Sequence, residues 1–127
     1  MANPHIHINY VLEKLLEQRN AHGSIILGVD FDNTLYNNAL DEPHHDIVAL
    51  IKQAKAKGFT ICVWTANKDR KFVDKFYEDN GLTYDYYNDS PIYTGAEKKH
   101  FNLLLDDTAG LGYTVTILET LLWLIRD

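Results

Sequence analysis

Apolar residues recur at Ile8, Val11, Leu12, Leu15 and Leu16, the i, i+3, i+4, i+7, i+8 stripe of an amphipathic helix, and Ala21-His22-Gly23 ends it. From Ser24 that period gives way to a continuous apolar run, Ile25-Ile26-Leu27-Gly28-Val29, closed by Asp30. So short a run without polar alternation predicts a strand covered on both faces, as in parallel sheets. A second helix is predicted from about Pro43, whose fixed φ suits a first helical position; Ile47, Leu50, Ile51 and Ala54 share one face and Gly58 stops it. The run Phe59-Thr60-Ile61-Cys62-Val63-Trp64 predicts a second strand. After Thr65 the pattern reads as helix through Phe72, Val73 and Phe76, ending at Asn80-Gly81, where glycine admits a left-handed cap. Tyr84 to Tyr87 suggests a short third strand, and a loop with Pro91 and Gly95 leads to a fourth run, Phe101-Asn102-Leu103-Leu104-Leu105, stopped by Asp106-Asp107. Leu111 to Arg126 is a final helix, apolar on more than one side.

Strands alternating with helices predict a three-layer, Rossmann-like α/β fold with a mostly parallel sheet and right-handed crossovers. At 127 residues the chain is one domain: an N-terminal helix within 1–22, a core over 24–110 and a C-terminal helix within 111–127. Apolar residues at 46% and charged residues at 24% exclude a disordered or low-complexity chain. The net charge of −6 argues against general affinity for nucleic acid or anionic membrane, though a local basic patch could still bind phosphate. The lone cysteine, Cys62, excludes an intramolecular disulfide. With no apolar stretch long enough to span a membrane and no basic-then-apolar leader in Met1 to Tyr10, a cytoplasmic location and no membrane partner are expected.

In a doubly wound sheet, ligands bind beyond the carboxyl ends of the strands. The residues delivered there are Asp30-Phe31-Asp32-Asn33-Thr34, Thr65-Ala66-Asn67 and Asp106-Asp107, with Lys98 and Lys99 just upstream of the last strand. So many carboxylates on one edge repel one another unless they share a cation. All-oxygen ligation favours Mg²⁺, which binds through a few carboxylates together with substrate phosphate. Asp30 and Asp32, two residues apart at a strand end, permit a division of labour between a nucleophilic carboxylate and a carboxylic general acid.

The string Leu27-Gly28-Val29-Asp30-Phe31-Asp32-Asn33-Thr34-Leu35 resembles the first motif of the haloacid dehalogenase-like superfamily, a strand ending in Asp-x-Asp-x-Thr. Trp64-Thr65 resembles its second motif, Lys98 its third and Leu103-Leu104-Leu105-Asp106-Asp107 its fourth, in order over roughly Ser24 to Gly110. The resemblance implies a phosphatase in which Asp30 attacks phosphorus to form an aspartyl-phosphate and Asp32 protonates the leaving group and then activates water. It further implies that Thr65 hydrogen-bonds the phosphoryl group, with Asn33 and Ala66 beside it, and that Lys98 balances its charge. Mg²⁺ would be held by Asp30, the backbone carbonyl of Asp32, and Asp106 with Asp107 nearby. Leu35 to Glu42 and Asn80 to Glu97 are too short for the family's cap domains, so an open site is implied. Such a site suits a small phosphate ester, a nucleotide, a nucleic-acid end or a phosphoprotein.

Other functions fit the same residues less well. A phosphate-binding or scaffolding module without turnover is the main alternative. A phospho-acceptor receiver domain places its acidic pair on the first strand and its lysine last, the reverse of the order here, and a dehalogenase has no need of an acid at Asp32. Taken singly, Thr65 is an ordinary helix cap, and Lys98 and Lys99 are solvated loop charges. Tyr84, Tyr86, Tyr87 and Tyr93 invite base stacking, but tyrosines are common in short edge strands. His5, His7, His44 and His45 lack further ligands at metal spacing and read as surface residues. The surplus apolar surface of the last helix fits packing against the first helix or, failing that, a homodimer interface.

Overall fold

Ile26, Leu27, Gly28 and Val29 form a fully buried strand with a parallel neighbour on each side. In this computed structural model, which describes residues 8–91, 101–108 and 110–125, the elements run α1 (Ile8–His22), β1 (Ile26–Val29), β2 (Tyr36–Asn37), β3 (Glu42–Pro43), α2 (His45–Ala56), β4 (Thr60–Val63), α3 (Arg70–Asp79), β5 (Tyr86–Tyr87), β6 (Leu103–Leu105) and α4 (Leu111–Leu124). The result is an α/β, Rossmann-like domain: a four-stranded sheet in the order β5-β4-β1-β6, every pair parallel, flanked by helices. From β1 the chain steps to β4 and then β5 on one side and returns to β6 on the other. The order therefore reverses between β1 and β6, where such sheets open a crevice at their carboxyl ends.

Alternation along the strands sorts the core. Leu27, Val29, Ile61, Val63, Leu103 and Leu105 join one buried cluster with apolar side chains from all four helices. Their neighbours Ile26 and Cys62, equally buried, belong to the alternate positions, as does Gly28. A Cβ on Gly28 would lie 2.7 Å from Phe101 Cγ and 3.0 Å from Leu104 Cδ1, so this glycine is where an aromatic ring sits directly on the sheet backbone. Gly28→Ala is accordingly expected to lower stability by about 1–3 kcal/mol through overpacking, read as a reduced denaturant midpoint.

The apolar runs became strands and the helical stripes became helices, with three local differences. Pro43 does not start a helix: it pairs with Tyr36 in the small antiparallel hairpin β2–β3, which the sequence pattern did not reveal. A proline lacking an N–H is tolerated in such an edge strand, and α2 begins at His45 instead. The helix after Thr65 begins five residues later, at Arg70, because Asp69 rather than Thr65 caps it, its side chain accepting the Phe72 N–H at 3.1 Å. The third strand is limited to Tyr86–Tyr87. The final helix does pack on α1, and also on α2 and β6. It leaves Trp123 68% exposed. No helix among the described residues is long and apolar enough to cross a membrane.

Candidate functional site

Asp30 is the first residue past β1, and its N–H donates to the carbonyl of Leu105, the last residue of β6, at 2.9 Å. This hydrogen bond continues the β1–β6 ladder and brings Asp30 beside Asp106 and Asp107. One carboxylate oxygen from each of the three lies within 4.8 Å of the others. The cluster thus occupies the carboxyl edge where the strand order reverses.

Thr34 ties the cluster together from below. It is fully buried, its Oγ1 accepts the Asp107 N–H at 2.8 Å, and its hydroxyl donates to Asp30 Oδ2 at 3.2 Å. A hydroxyl has one proton to give, so the 3.5 Å approach to Asp107 Oδ1 is the weaker contact. The Thr34 carbonyl in turn meets His44 Nδ1 at 2.7 Å, linking the site to the start of α2. His44 therefore has a structural partner. Asp106 Oδ1 accepts both the N–H and the hydroxyl of Thr108, each at 2.9 Å, which orients its carboxylate.

Burial, followed by the Asp106 charge, raises the Asp30 carboxyl from 3.8 to about 6, and the Thr34 hydroxyl opposes the rise only in part. Three carboxylates at this separation disfavour one another's ionised forms. A hard divalent cation resolves that conflict, and the all-oxygen donor set fits one. The group Asp30, Asp106 and Asp107 can hold a metal.

Asp32 stands apart from this group. Its Oδ1 accepts from Asn38 Nδ2 at 3.1 Å and from Asn67 Nδ2 at 3.4 Å. The chain turns sharply from Asp32 onward, since the Phe31 carbonyl accepts from the N–H groups of both Leu35 and Tyr36. Asn33 takes the left-handed conformation, φ 62°, which asparagine tolerates, and its N–H donates to the Tyr36 carbonyl at 2.7 Å. Asn33 is exposed at this turn. Between the acids, the Phe31 ring goes the other way, into the core, stacked on Tyr36 and edge-on to Phe72 and Phe76.

Thr65 follows β4. Its N–H donates to Asn88 Oδ1 at 2.7 Å and its Oγ1 accepts the Asn67 N–H at 3.0 Å, so it organises the loop that ends at the α3 cap. Ala66 is exposed in that loop. Lys98 and Lys99 lie outside the described residues, as do His5, His7 and Tyr93. Of the remaining tyrosines, Tyr84 donates to Asp74 at 2.7 Å and packs on Tyr77 and Tyr87, and the Arg70 guanidinium lies 4.2 Å from the Tyr87 ring centre. These contacts are those of a packed edge.

The contacts of Asn38 and Asn67 with Asp32 are features of the fold alone. Asn38 had no signal, because its approach to Asp32 depends on the β2–β3 hairpin. Thr34 was visible within the Asp-x-Asp-x-Thr string, but its double contact to Asp30 and Asp107 needs the β1–β6 pairing. No family profile, curated protein or solved structure matches the chain. What stands is an α/β domain whose parallel sheet gathers an aspartate group able to hold a metal at its carboxyl edge.

Proposed function

We propose that the protein is a Mg²⁺-dependent phosphomonoester hydrolase of the haloacid dehalogenase-like type, working through an aspartyl-phosphate on Asp30. The observation that carries this is the meeting of Asp30, Asp106 and Asp107 within 4.8 Å at the point of strand reversal, with a second acid, Asp32, held separately two residues on. Asp30, Asp106 and Asp107, with the Asp32 backbone carbonyl, would hold the ion, which when bound supplies positive charge against the phosphoryl oxygens.

The chain's own groups divide the chemistry. Asp30 forms a bond to phosphorus as the ester oxygen departs in line, and Asp32, protonated, gives its proton to that oxygen. Asp32, now a carboxylate, takes a proton from water as the water oxygen bonds to phosphorus and the Asp30–phosphorus bond breaks. Inorganic phosphate leaves and both acids return to their starting states. Thr65 hydrogen-bonds the phosphoryl group and Lys98 balances its charge, with Asn33 and Ala66 bordering it. Small esters, nucleotides, nucleic-acid ends and phosphoproteins all supply the required group.

The test is phosphate release from a panel of such esters, with Mg²⁺ and with EDTA. Turnover is expected only with the metal. Turnover indifferent to EDTA, or binding of a phosphorylated ligand with no release, overturns the proposal, the latter in favour of a phosphate-binding module.

A further inference from the structure

Two asparagines from different parts of the chain converge on one oxygen of Asp32. Asn38 arrives from the β2–β3 hairpin and Asn67 from the loop between β4 and α3, and both amides donate to Oδ1. Backbone groups decide which way each amide points. Asn33 Oδ1 accepts the Asn38 N–H at 3.3 Å, and Asn38 Oδ1 takes a 3.2 Å share of the Asn33 N–H, whose closer acceptor is the Tyr36 carbonyl at 2.7 Å. Asn67 Oδ1 accepts the Asp69 N–H at 2.8 Å. With each amide oxygen turned toward a backbone donor, each Nδ2 is left to face the carboxylate.

We infer that Asn38 and Asn67 are positioning residues that clamp Asp32 by Oδ1 and so assign Oδ2 as the atom that carries and delivers the proton. An sp² oxygen offers two lone-pair directions, enough for both N–H donors, the nearer at 3.1 Å and the farther at 3.4 Å. A proton on Oδ1 would confront those donors, whereas Oδ2 accepts from neither amide. The clamp also fixes the side-chain rotamer of a residue that sits on a sharp turn, where the chain alone leaves it free. A general acid must meet its acceptor within hydrogen-bond reach, and a fixed oxygen meets that condition without a conformational search. This role rests on the phosphatase reading; the clamp itself does not.

The discriminating variants are Asn38→Asp and Asn67→Asp. Each keeps the acceptor for its backbone N–H and replaces the donor facing Asp32 with an oxygen. Turnover is compared on glycerol phosphate, whose alkoxide must be protonated to leave, and on para-nitrophenyl phosphate, whose phenolate leaves without help. The ratio of kcat on the alkyl ester to kcat on the aryl ester is expected to fall by about 10-fold or more, the lower part of the range for general acid catalysis. Equal losses on the two esters, or no loss, overturn the inference, because a merely structural role moves both alike. Independently of turnover, Asp32→Ala is expected to shift the side-chain amide NMR resonances of both asparagines, and resonances that stay in place remove the clamp. Resonances that shift in a protein releasing phosphate from no member of the wider panel of esters, nucleotides, nucleic-acid ends and phosphoproteins sink the phosphatase reading, and the proton-delivery role with it, while the clamp stands.

Discussion

Asp30→Asn is expected to reduce phosphate release by about 10³-fold or more, as loss of a covalent nucleophile does, while leaving the protein folded and, without metal, more stable than the parent. The substitution keeps the shape of the side chain and removes the charge. In the parent, burial and the neighbouring Asp106 hold the Asp30 carboxyl at about 6 rather than 3.8. A folded-state value raised above the unfolded one contributes stability that is present at acid pH and lost as pH rises through it. The metal-free parent should therefore weaken as pH climbs from about 4 through about 6. The asparagine variant escapes that loss. Solvent screening of a partly exposed group reduces the difference at neutral pH to on the order of 1 kcal/mol. Thermal melts of both proteins across this range, with EDTA and then with Mg²⁺, check the linkage. The parent should gain from Mg²⁺ more than the variant does, because one of its three carboxylate ligands is missing from the variant. Full activity in Asp30→Asn, or melts that fall with pH equally in both proteins, would contradict the role assigned to Asp30.

The largest effect on stability is expected from Phe31→Ala, at about 3–5 kcal/mol. The Phe31 ring is wholly buried, with ring centres 5.5 Å from Tyr36, 5.9 Å from Phe72 and 5.1 Å from Phe76. It packs where three elements meet, the end of β1, the hairpin through Tyr36, and α3 through Phe72 and Phe76, whose rings also meet Tyr36 directly at 5.2 and 5.8 Å. Truncation leaves an aromatic-lined void that rings cannot collapse into without leaving their edge-on arrangement. Against a total of about 5–15 kcal/mol for a domain, the loss takes a large share of the whole. Urea unfolding measures it, and Phe31→Leu, which keeps most of the volume, should lose distinctly less. A midpoint close to that of the parent would mean that the hairpin and α3 do not depend on this ring. Because Phe31 lies between Asp30 and Asp32, its loss also loosens the chain that sets the two acids apart, so activity should fall with stability even in protein that remains folded.

The elements with a clear hydrophobic period were legible from composition and order alone. A run such as Ile25 to Val29 has one stable destination, between two neighbours and beneath helices, and it is found there. The hairpin was not legible, because two-residue strands have no period and their pairing is held by the Tyr36 ring against Phe31. The start of α3 was displaced for a related reason. Thr65 and Asp69 are both competent caps by residue type, and Thr65 does accept the Asn67 N–H two residues on, but no helix continues from it; the helix starts at Arg70, where Asp69 accepts the Phe72 N–H.

The candidate site divides along the same line. That Asp30 and Asp32 end one apolar run, and Asp106 and Asp107 another, was written in the sequence, since a buried strand must end where charge reaches water. Whether the two ends meet depends on strand order, and a chain of alternating strands and helices can be wound in more than one order. The placement of β6 directly beside β1 brings Asp30 to Asp106 and Asp107, and it leaves Thr34 to bond both sides. Which oxygen of Asp32 is held, and by which amides, rests on contacts spanning six residues for Asn38 and 35 for Asn67. Sequence by itself determined the kinds of groups and the strand ends that carry them, because burial of apolar runs is a local and additive preference. Only the tertiary structure decided which of those groups touch, because hydrogen bonds between distant residues exist only once the sheet order and the loops have brought them within reach.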